Sequence, residues 1–596
     1  GLSCVIWTLI LLATIKYIYF ALNADNKGEG GIFALYALLK EKKAKWIIIP
    51  ALIGCATLLA DGFITPAISI SSAVEGVNNI NPDVPVIPIV VGIIIALFSI
   101  QQFGTSLVGK AFGPIMFIWF GMMAVLGIVF VLQYPAILHS INPYYAYKIL
   151  VSSPSSFLIL GAVFLCTTGA EALYSDLGHC GRSNIQISWI YVKICLLLNY
   201  MGQGVWLLQH QGTTLNGDNP FFQIMPSWFL IPGIAIATLA AIIASQALIS
   251  GSFTLIAEAV RLNLWPKVRI NYPSDQKGQL YVPSINWLLW LGCLVVVFIF
   301  QESTKMEAAY GLSITLAMLM TTILLSVYLL RKKVPSYLVI IFLTVYLIIE
   351  LTFLTGNLAK IMHGGWFTIV LGSILFSVMW AWSSARKIKN RFVKFVDIEE
   401  YYPIIKDLSE DETVPKLASQ LVYLTSANFR SEIELKIMYS ILQKQPKRAD
   451  VYWLVHVDVM DEPYTNDYKV DFLIPGKLIR IDFKLGFRVE QRINVLFRKV
   501  VEDLVKNKEV DITSKHPSLN KNHIVGDFRF VLLEKVLSRS NKLPFLERFI
   551  MNYYFILHKL SLSEEKGFGL DSSFVKIERV PLMVSVPENI ILNRIK

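Results

Sequence analysis

Charge is what this 596-residue sequence has least of. Asp, Glu, Lys and Arg make up only 16% of it against 55% hydrophobic residues, and the mean hydropathy is +0.55. That scarcity excludes an ordinary soluble globular chain, in which about 25% of residues are charged. Cysteine is sparse too. Cys4, Cys55, Cys166, Cys180, Cys195 and Cys293 include no CxxC pair, so neither a disulfide framework nor a zinc site is supported, and small packing residues are the reading. No G-x-x-x-x-G-K-[ST] phosphate loop is present, and GEGG at 28–31 reads as a connector. The net charge of +11 would suggest nucleic acid in a soluble protein. Basic loops that orient a membrane protein account for it better, so no nucleic-acid partner is expected.

What is present is a series of long apolar runs. Runs of about 18–25 residues are candidate spanning helices. They fall near 2–22, 46–74, 85–103, 113–133, 156–175, 187–208, 227–250, 284–301, 308–330, 336–355 and 365–384, eleven in all. After Trp382 the chain turns to SSARKIKNRFVKF, and no later segment is apolar enough to cross. One alternating set of loops carries Lys27, Lys40, Lys42, Lys43, Lys45, Lys110, Arg182, Arg261, Lys267, Arg269, Lys277, Arg331, Lys332 and Lys333. The opposite set carries Lys148, Lys305 and Lys360. Basic residues collect on the cytoplasmic side, which predicts a multi-pass protein of the cell (inner) membrane with a cytoplasmic C-terminus. The first residue then starts outside. With no initiating methionine, this parity predicts at least one further N-terminal helix. The opening run, GLSCVIWTLILLATIKYIYFAL, lacks the basic start and cleavage site of a signal peptide.

Polar residues inside the runs are the candidate functional groups. Asp61 lies near the middle of a stretch, Trp46 to Val77, whose only other formal charge is Glu75. A central Asp costs about 2.5–3.5 kcal/mol to insert. It can cap a second half-helix at Gly62, pair with a buried cation, or bind a proton or ion in transit. The last is favoured because ionisable residues inside membranes default to function. Asp61 and Thr65 are four apart and share a face on a continuous helix. Pro66 frees the carbonyl of Gly62, a further oxygen ligand. In LCTTGAEALYSD (165–176), Thr167, Thr168 and Gly169 interrupt a helix just before Glu171; the alternative is a shallow Glu171 paired with Arg182. In AAYGLSITLAM (308–318), Tyr310 offers a phenol oxygen, or else anchors the helix at the interface. Hydroxyl, phenol and backbone oxygens suit a weakly hydrated monovalent cation better than Mg²⁺.

These segments resemble the KUP/HAK/KT potassium uptake permeases, proton-coupled transporters of the amino acid–polyamine–organocation (APC) superfamily. The matching stretches are ADNKGEGGIFALYALL (24–39), ADGFITPAISISSAVEG (60–76), GTSLVGKAFGPIM (104–116), INPYYA (141–146), LGAVFLCTTGAEALYSDLGHCG (160–181), LNYMGQG (198–204), NPFF (219–222), ASQALISGSFTLIAEAVRL (244–262) and AAYG (308–311). The resemblance implies that Asp61, in the G-[DE]-x-x-x-T-P motif, and Glu171, in T-G-x-E-A-L-Y, couple the proton or ion. Thr65, Thr168 and Tyr310 would contact potassium. Ala60 stands where the family often has Gly, and a first-helix G-D-I-G-T-S-P-L-Y motif is absent, which agrees with the parity argument. The implied fold is a polytopic α-helical membrane protein with a LeuT/APC-type 5+5 inverted repeat plus two helices, its first helix missing, and a C-terminal cytosolic α/β domain. The implied function is potassium uptake by K⁺/H⁺ symport: not an enzyme, no cofactor, with potassium, proton and the lipid bilayer as partners. A proton-coupled permease for amino acids or other small solutes is the alternative. A membrane sensor fits less well, because no kinase, cyclase or phosphatase signature is present.

The boundary is expected at residues 385/386, giving a transport domain over 1–385 and a cytosolic domain over 386–596. In the latter, SQLVYLTS, DVYWLVHVDVM and KLIRIDFKLGF read as strands, and SEIELKIMYSILQ and VEQRINVLFRKVVEDL as helices, an α/β pattern. His456 and Asp458 lie two apart on one strand without further ligands, a polar strand face rather than a metal site. The resemblance implies that this domain regulates or dimerises the transporter. A nucleotide second messenger is a conceivable ligand for it, without a motif to support one.

Overall fold

The computed structural model describes residues 1–26, 28–40, 45–103, 106–153, 156–215, 219–273, 280–460, 462, 464–486, 489–536, 543–570 and 573–581. Lys27, Lys42, Lys43, Gly104, Thr105, Lys277 and Phe487 lie outside the described residues. The chain divides into two compact units, Gly1–Ala259 with Arg269–Ser377, and Val260–Val268 with Val378–Lys596.

Eleven helices among the described residues are long and apolar enough to cross a membrane. They are α1 (Leu2–Asn23), α2 (Ile48–Asn79), α3 (Val86–Phe103), α4 (Ala111–Gln133), α5 (Leu158–Ser175), α6 (Arg182–Gln209), α7 (Leu230–Arg261), α8 (Pro283–Phe300), α9 (Ser303–Arg331), α10 (Ser336–Leu358) and α11 (Gly365–Arg391). Each expected apolar run is one of these. Burial ranks them: α2 is 78% and α9 67% buried over their most apolar stretch, against 28% for α3, α4 and α10. The first two therefore form the centre of the unit. The others turn side chains such as Val125, Leu132, Ile340 and Ile348 outward, as helices facing lipid must.

Three local features set the centre. Helix α2 is continuous from Ile48 to Val74 despite Gly62 and Pro66, so Asp61 sits mid-helix and does not cap a second half-helix. At its far end Glu75 accepts from the Ser303 amide (2.7 Å) and hydroxyl (2.5 Å), pinning the start of α9. Helix α4 meets α6 at paired glycines. A Cβ on Gly202 would stand 2.6 Å from the Gly127 Cα, so only glycine allows the backbones this close.

The second unit holds a six-stranded sheet. Its strands are β1 (Lys416–Thr425), β2 (Arg448–Met460), β3 (Asn466–Ile474), β4 (Leu478–Gly486), β5 (Phe528–Val536) and β6 (Val575–Pro581), in the order β3-β4-β2-β1-β5-β6. All neighbours are parallel except β3 against β4. Parallel strands are covered on both faces and read as near-continuous apolar runs, which YWLV in β2 shows. Trp453 and Val455 pack with Phe497, Val500 and Leu504 of α13 (Ile493–Lys506), while Tyr452 and Leu454 face the opposite cluster with Ile405 of α12 (Tyr402–Glu410). The antiparallel edge strand β3 carries Asp467, Lys469 and Asp471, charges that discourage further strand pairing. The three expected strands form. The expected helix SEIELKIMYSILQ opens instead as a short strand, Glu432–Glu434, paired antiparallel with Phe395–Asp397, and turns helical only from Leu435. His456 is buried, its Nδ1 3.1 Å from the Thr425 carbonyl, while Asp458 is exposed; no metal-binding cluster occurs among the described residues.

Candidate functional site

The site begins with two residues one turn apart. Because α2 stays helical, Thr65 lies directly along the helix from Asp61, and its hydroxyl donates to Asp61 Oδ1 at 2.7 Å. Asp61 is 3% exposed, so this partner is not interchangeable with water. The Gly62 carbonyl, left without a helical donor by Pro66, meets the Cys293 thiol of α8 at 3.8 Å. Its oxygen is partly engaged there by a weak thiol donor.

Helix α9 supplies the next groups. Tyr310 meets the side chains of both Thr65 and Thr168. The Ser313 hydroxyl donates to the Tyr310 carbonyl at 2.8 Å and stands 3.4 Å from Asp61 Oδ1. Ser313 was not foreseen, although its place one helical turn after Tyr310 is a usable signal. Tyr310 is half-buried and meets groups of two neighbouring spans, rather than standing apart as an anchor.

Helix α5 is broken where the sequence suggested. It runs helically over Ser156–Val163, tightens to a 3-10 turn over Phe164–Thr167, and restarts at Ala170–Ser175. Between these pieces Gly169 takes φ +92°, a left-handed conformation that glycine adopts freely. The Thr168 hydroxyl donates to the Leu165 carbonyl at 2.8 Å. Glu171 is buried; its Oε1 accepts from the Gly169 amide at 3.1 Å, and its Oε2 has no hydrogen-bond partner among the described residues. The alternative of a shallow Glu171 paired with Arg182 is thus not what forms: Glu171 turns back onto the break, within electrostatic reach of Asp61.

The structure therefore brings Asp61, Thr65, Thr168 and Tyr310 together from three separate spans, with Glu171 beside them. Tyr310 also borders a cavity of about 490 Å³, shared with Ser69, Ser72, Asn199 and Gln203. On the GEGG side, Gly30 has no room for a side chain, since a Cβ would lie 2.1 Å from the Tyr174 carbonyl. The stretch 28–31 is thus packed against the second half of α5, with the Tyr174 hydroxyl bonded to the Ala24 carbonyl at 2.7 Å. Gly30 thus serves close packing.

The sequence reading passed over a buried ion pair. Lys16 of α1 and Glu350 of α10, both 0% exposed, are in direct contact. The signal was available, since each is a lone charge inside an apolar run.

Comparison with known proteins adds a family. A model described as "K+ potassium transporter integral membrane domain" matches residues 1–387, and one described as "K+ potassium transporter C-terminal domain" matches residues 418–586. The chain is 56% identical over 601 residues to the "Probable potassium transport system protein Kup" of Flavobacterium psychrophilum, covering 100% of this chain and 92% of that protein. It is 58% identical to the protein of the same description from Cytophaga hutchinsonii, with the same coverage. The Clostridium perfringens counterpart is 48% identical, over 100% of this chain and 91% of that protein.

Proposed function

The chain belongs to the KUP/HAK/KT potassium transporter family, and from that premise we propose that it carries potassium into the cell together with a proton. One observation carries the reading: oxygens of Asp61, Thr65 and Tyr310, with Thr168, converge from α2, α5 and α9 within an apolar unit, around a buried Asp61 and three half-buried partners. Potassium sheds water only where other oxygens replace it, and neutral hydroxyl and phenol groups do so without holding the ion too firmly. Thr65, Thr168 and Tyr310 take that role here. Asp61 and Glu171, both buried, take the proton or offset the ion's charge.

The remaining parts follow as parts of the same proposal. The break at Thr168–Gly169 supports a LeuT/APC-type inverted repeat of five helices each with two more helices, in which α5 is the unwound first helix of the second repeat. The basic loops support a cell (inner) membrane protein with residues 386–596 in the cytoplasm, as a domain that regulates or dimerises the transport domain of residues 1–385. An inside-negative potential would then favour entry by about 2.3 kcal/mol per charge per 100 mV. The test is rubidium uptake into proteoliposomes with and without an imposed proton gradient. Uptake should rise with an inward gradient in the wild type and become gradient-independent in Asp61→Asn. An Asn variant that keeps both its uptake and its response to the gradient removes Asp61 from this role.

A further inference from the structure

The Lys16–Glu350 pair is not used by the site as proposed, yet it is built into the same core. Helix α1 is wound as a π-helix over Leu9–Phe20, and such winding is frequent at functional positions. It presents Lys16 to α9 and α10 together. The ammonium donates to Glu350 Oε1 and, at 2.8 Å, to the Met318 carbonyl. Thr322 of α9 donates to the same carboxylate oxygen at 2.9 Å. Among the described residues, neither the other oxygen, Glu350 Oε2, nor Glu171 Oε2 has a hydrogen-bond partner. The Leu9–Phe20 segment that carries Lys16 also packs against Ala170–Ser175, the piece of α5 that carries Glu171, which brings the ammonium within electrostatic reach of a second incompletely satisfied carboxylate.

Stability alone is a weak reason to keep such an arrangement. A buried ion pair is often matched or bettered by apolar residues of similar volume, because both charges must be desolvated. The bland reading, a strut between α1 and α10, accounts for the contact with Glu350 but not for the reach toward Glu171.

We propose that Lys16 is a positioning residue for the transported cation: a tethered ammonium, held by Glu350 and the Met318 carbonyl, that offsets the charge of Glu171. Potassium arriving near Glu171 then meets a carboxylate already partly balanced by a fixed positive charge. It binds less tightly and leaves more readily. This rests on the transport reading above, with Glu171 beside the ion.

The experiment is rubidium uptake by purified, reconstituted protein, with half-saturation and maximal rate measured separately. Neutralising both partners, Lys16→Met with Glu350→Gln, leaves neither member of the ion pair as an unpaired charge. It should lower the half-saturating rubidium concentration about tenfold and slow the maximal rate. Lys16→Arg keeps the charge and should stay near wild type. In a Glu171→Gln background the neutral pair should no longer shift half-saturation, since its target is gone. A folded neutral pair with unchanged half-saturation overturns the proposal. So does an arginine variant shifted as far as the neutral pair, or a shift that persists without Glu171. If the neutral pair cannot be recovered folded, the reversed pair Lys16→Glu with Glu350→Lys is measured for the same fall in half-saturation. Failure of that pair to fold as well would assign Lys16 to folding alone and overturn the proposal too. Absence of rubidium uptake by the wild type sinks the transport reading instead, which keeps the two failures distinct.

Discussion

Replacing Thr65 by valine keeps the branched shape of the side chain and deletes one hydroxyl. That hydroxyl donates to Asp61 Oδ1 at 2.7 Å and meets Tyr310, and the Asp61 it serves is only 3% exposed. The Ser313 hydroxyl is no replacement, because it stands 3.4 Å away and already donates to the Tyr310 carbonyl. A hydrogen bond to a charged group contributes about 1.5–3 kcal/mol, and leaving a buried acceptor unmet costs a similar amount. If the same oxygen also serves the ion, the loss falls on the bound state. At about 1.4 kcal/mol per tenfold, half-saturation should rise roughly 10- to 100-fold. The assay is initial-rate rubidium uptake into proteoliposomes over a range of concentrations, with Thr65→Ser as the control that restores the hydroxyl. Serine should return half-saturation to within about threefold of wild type. A valine variant that is folded and saturates at the wild-type concentration refutes the assignment of Thr65 to the ion.

Two other predictions concern backbone and charge. Gly169→Ala meets no atom of the described residues within 4 Å, so its cost is the left-handed φ of +92°, about 1–2 kcal/mol; a thermal midpoint in detergent equal to that of wild type would show that the break carries no such strain. In the second unit, burial would raise Glu578, but the Ser440 hydroxyl at 2.7 Å and the Lys447 and Lys444 ammoniums at 3.3 and 3.9 Å outweigh it and hold the carboxyl below its ordinary 4.5. Its folded value is depressed, so its contribution to stability is present above the ordinary value and lost as pH falls through the folded one. Proteolysis of the C-terminal region of the full chain should therefore accelerate on acidification below about pH 4.5. Glu578→Gln should show less of that acid dependence, and an identical acid profile in the two proteins would refute this account.

How much of this was legible depends on how far apart the interacting residues lie. The eleven spans could be read directly, because hydrocarbon thickness fixes how long an apolar run must be. The Asp61–Thr65 contact was legible for a similar reason: four residues on an unbroken helix are neighbours by geometry. Whether that helix was unbroken was not, since Asp-Gly and Thr-Pro are turn signals in water and α2 overrides them in a buried setting. The break in α5 announced itself through Thr167, Thr168 and Gly169. The Lys16–Glu350 pair did not, as its members are 334 residues apart and each reads singly as an isolated charge. In the sheet, β1, β2 and β4 were apparent from their apolar runs, whereas their order was not, because parallel neighbours are joined by crossovers of unrelated length.

Composition and periodicity alone determined that this chain spans a membrane many times and ends in an α/β region, since both follow from local rules of burial. Motifs placed it in its family. Only the tertiary structure decided that Tyr310 reaches Thr65 and Thr168, that Cys293 meets the Gly62 carbonyl, and that Lys16 of α1 pairs with Glu350 of α10. The reason is physical. A hydrophobic run states that a helix is buried, but its direction of facing is settled by which neighbour can satisfy its few polar atoms, and no single segment holds that information.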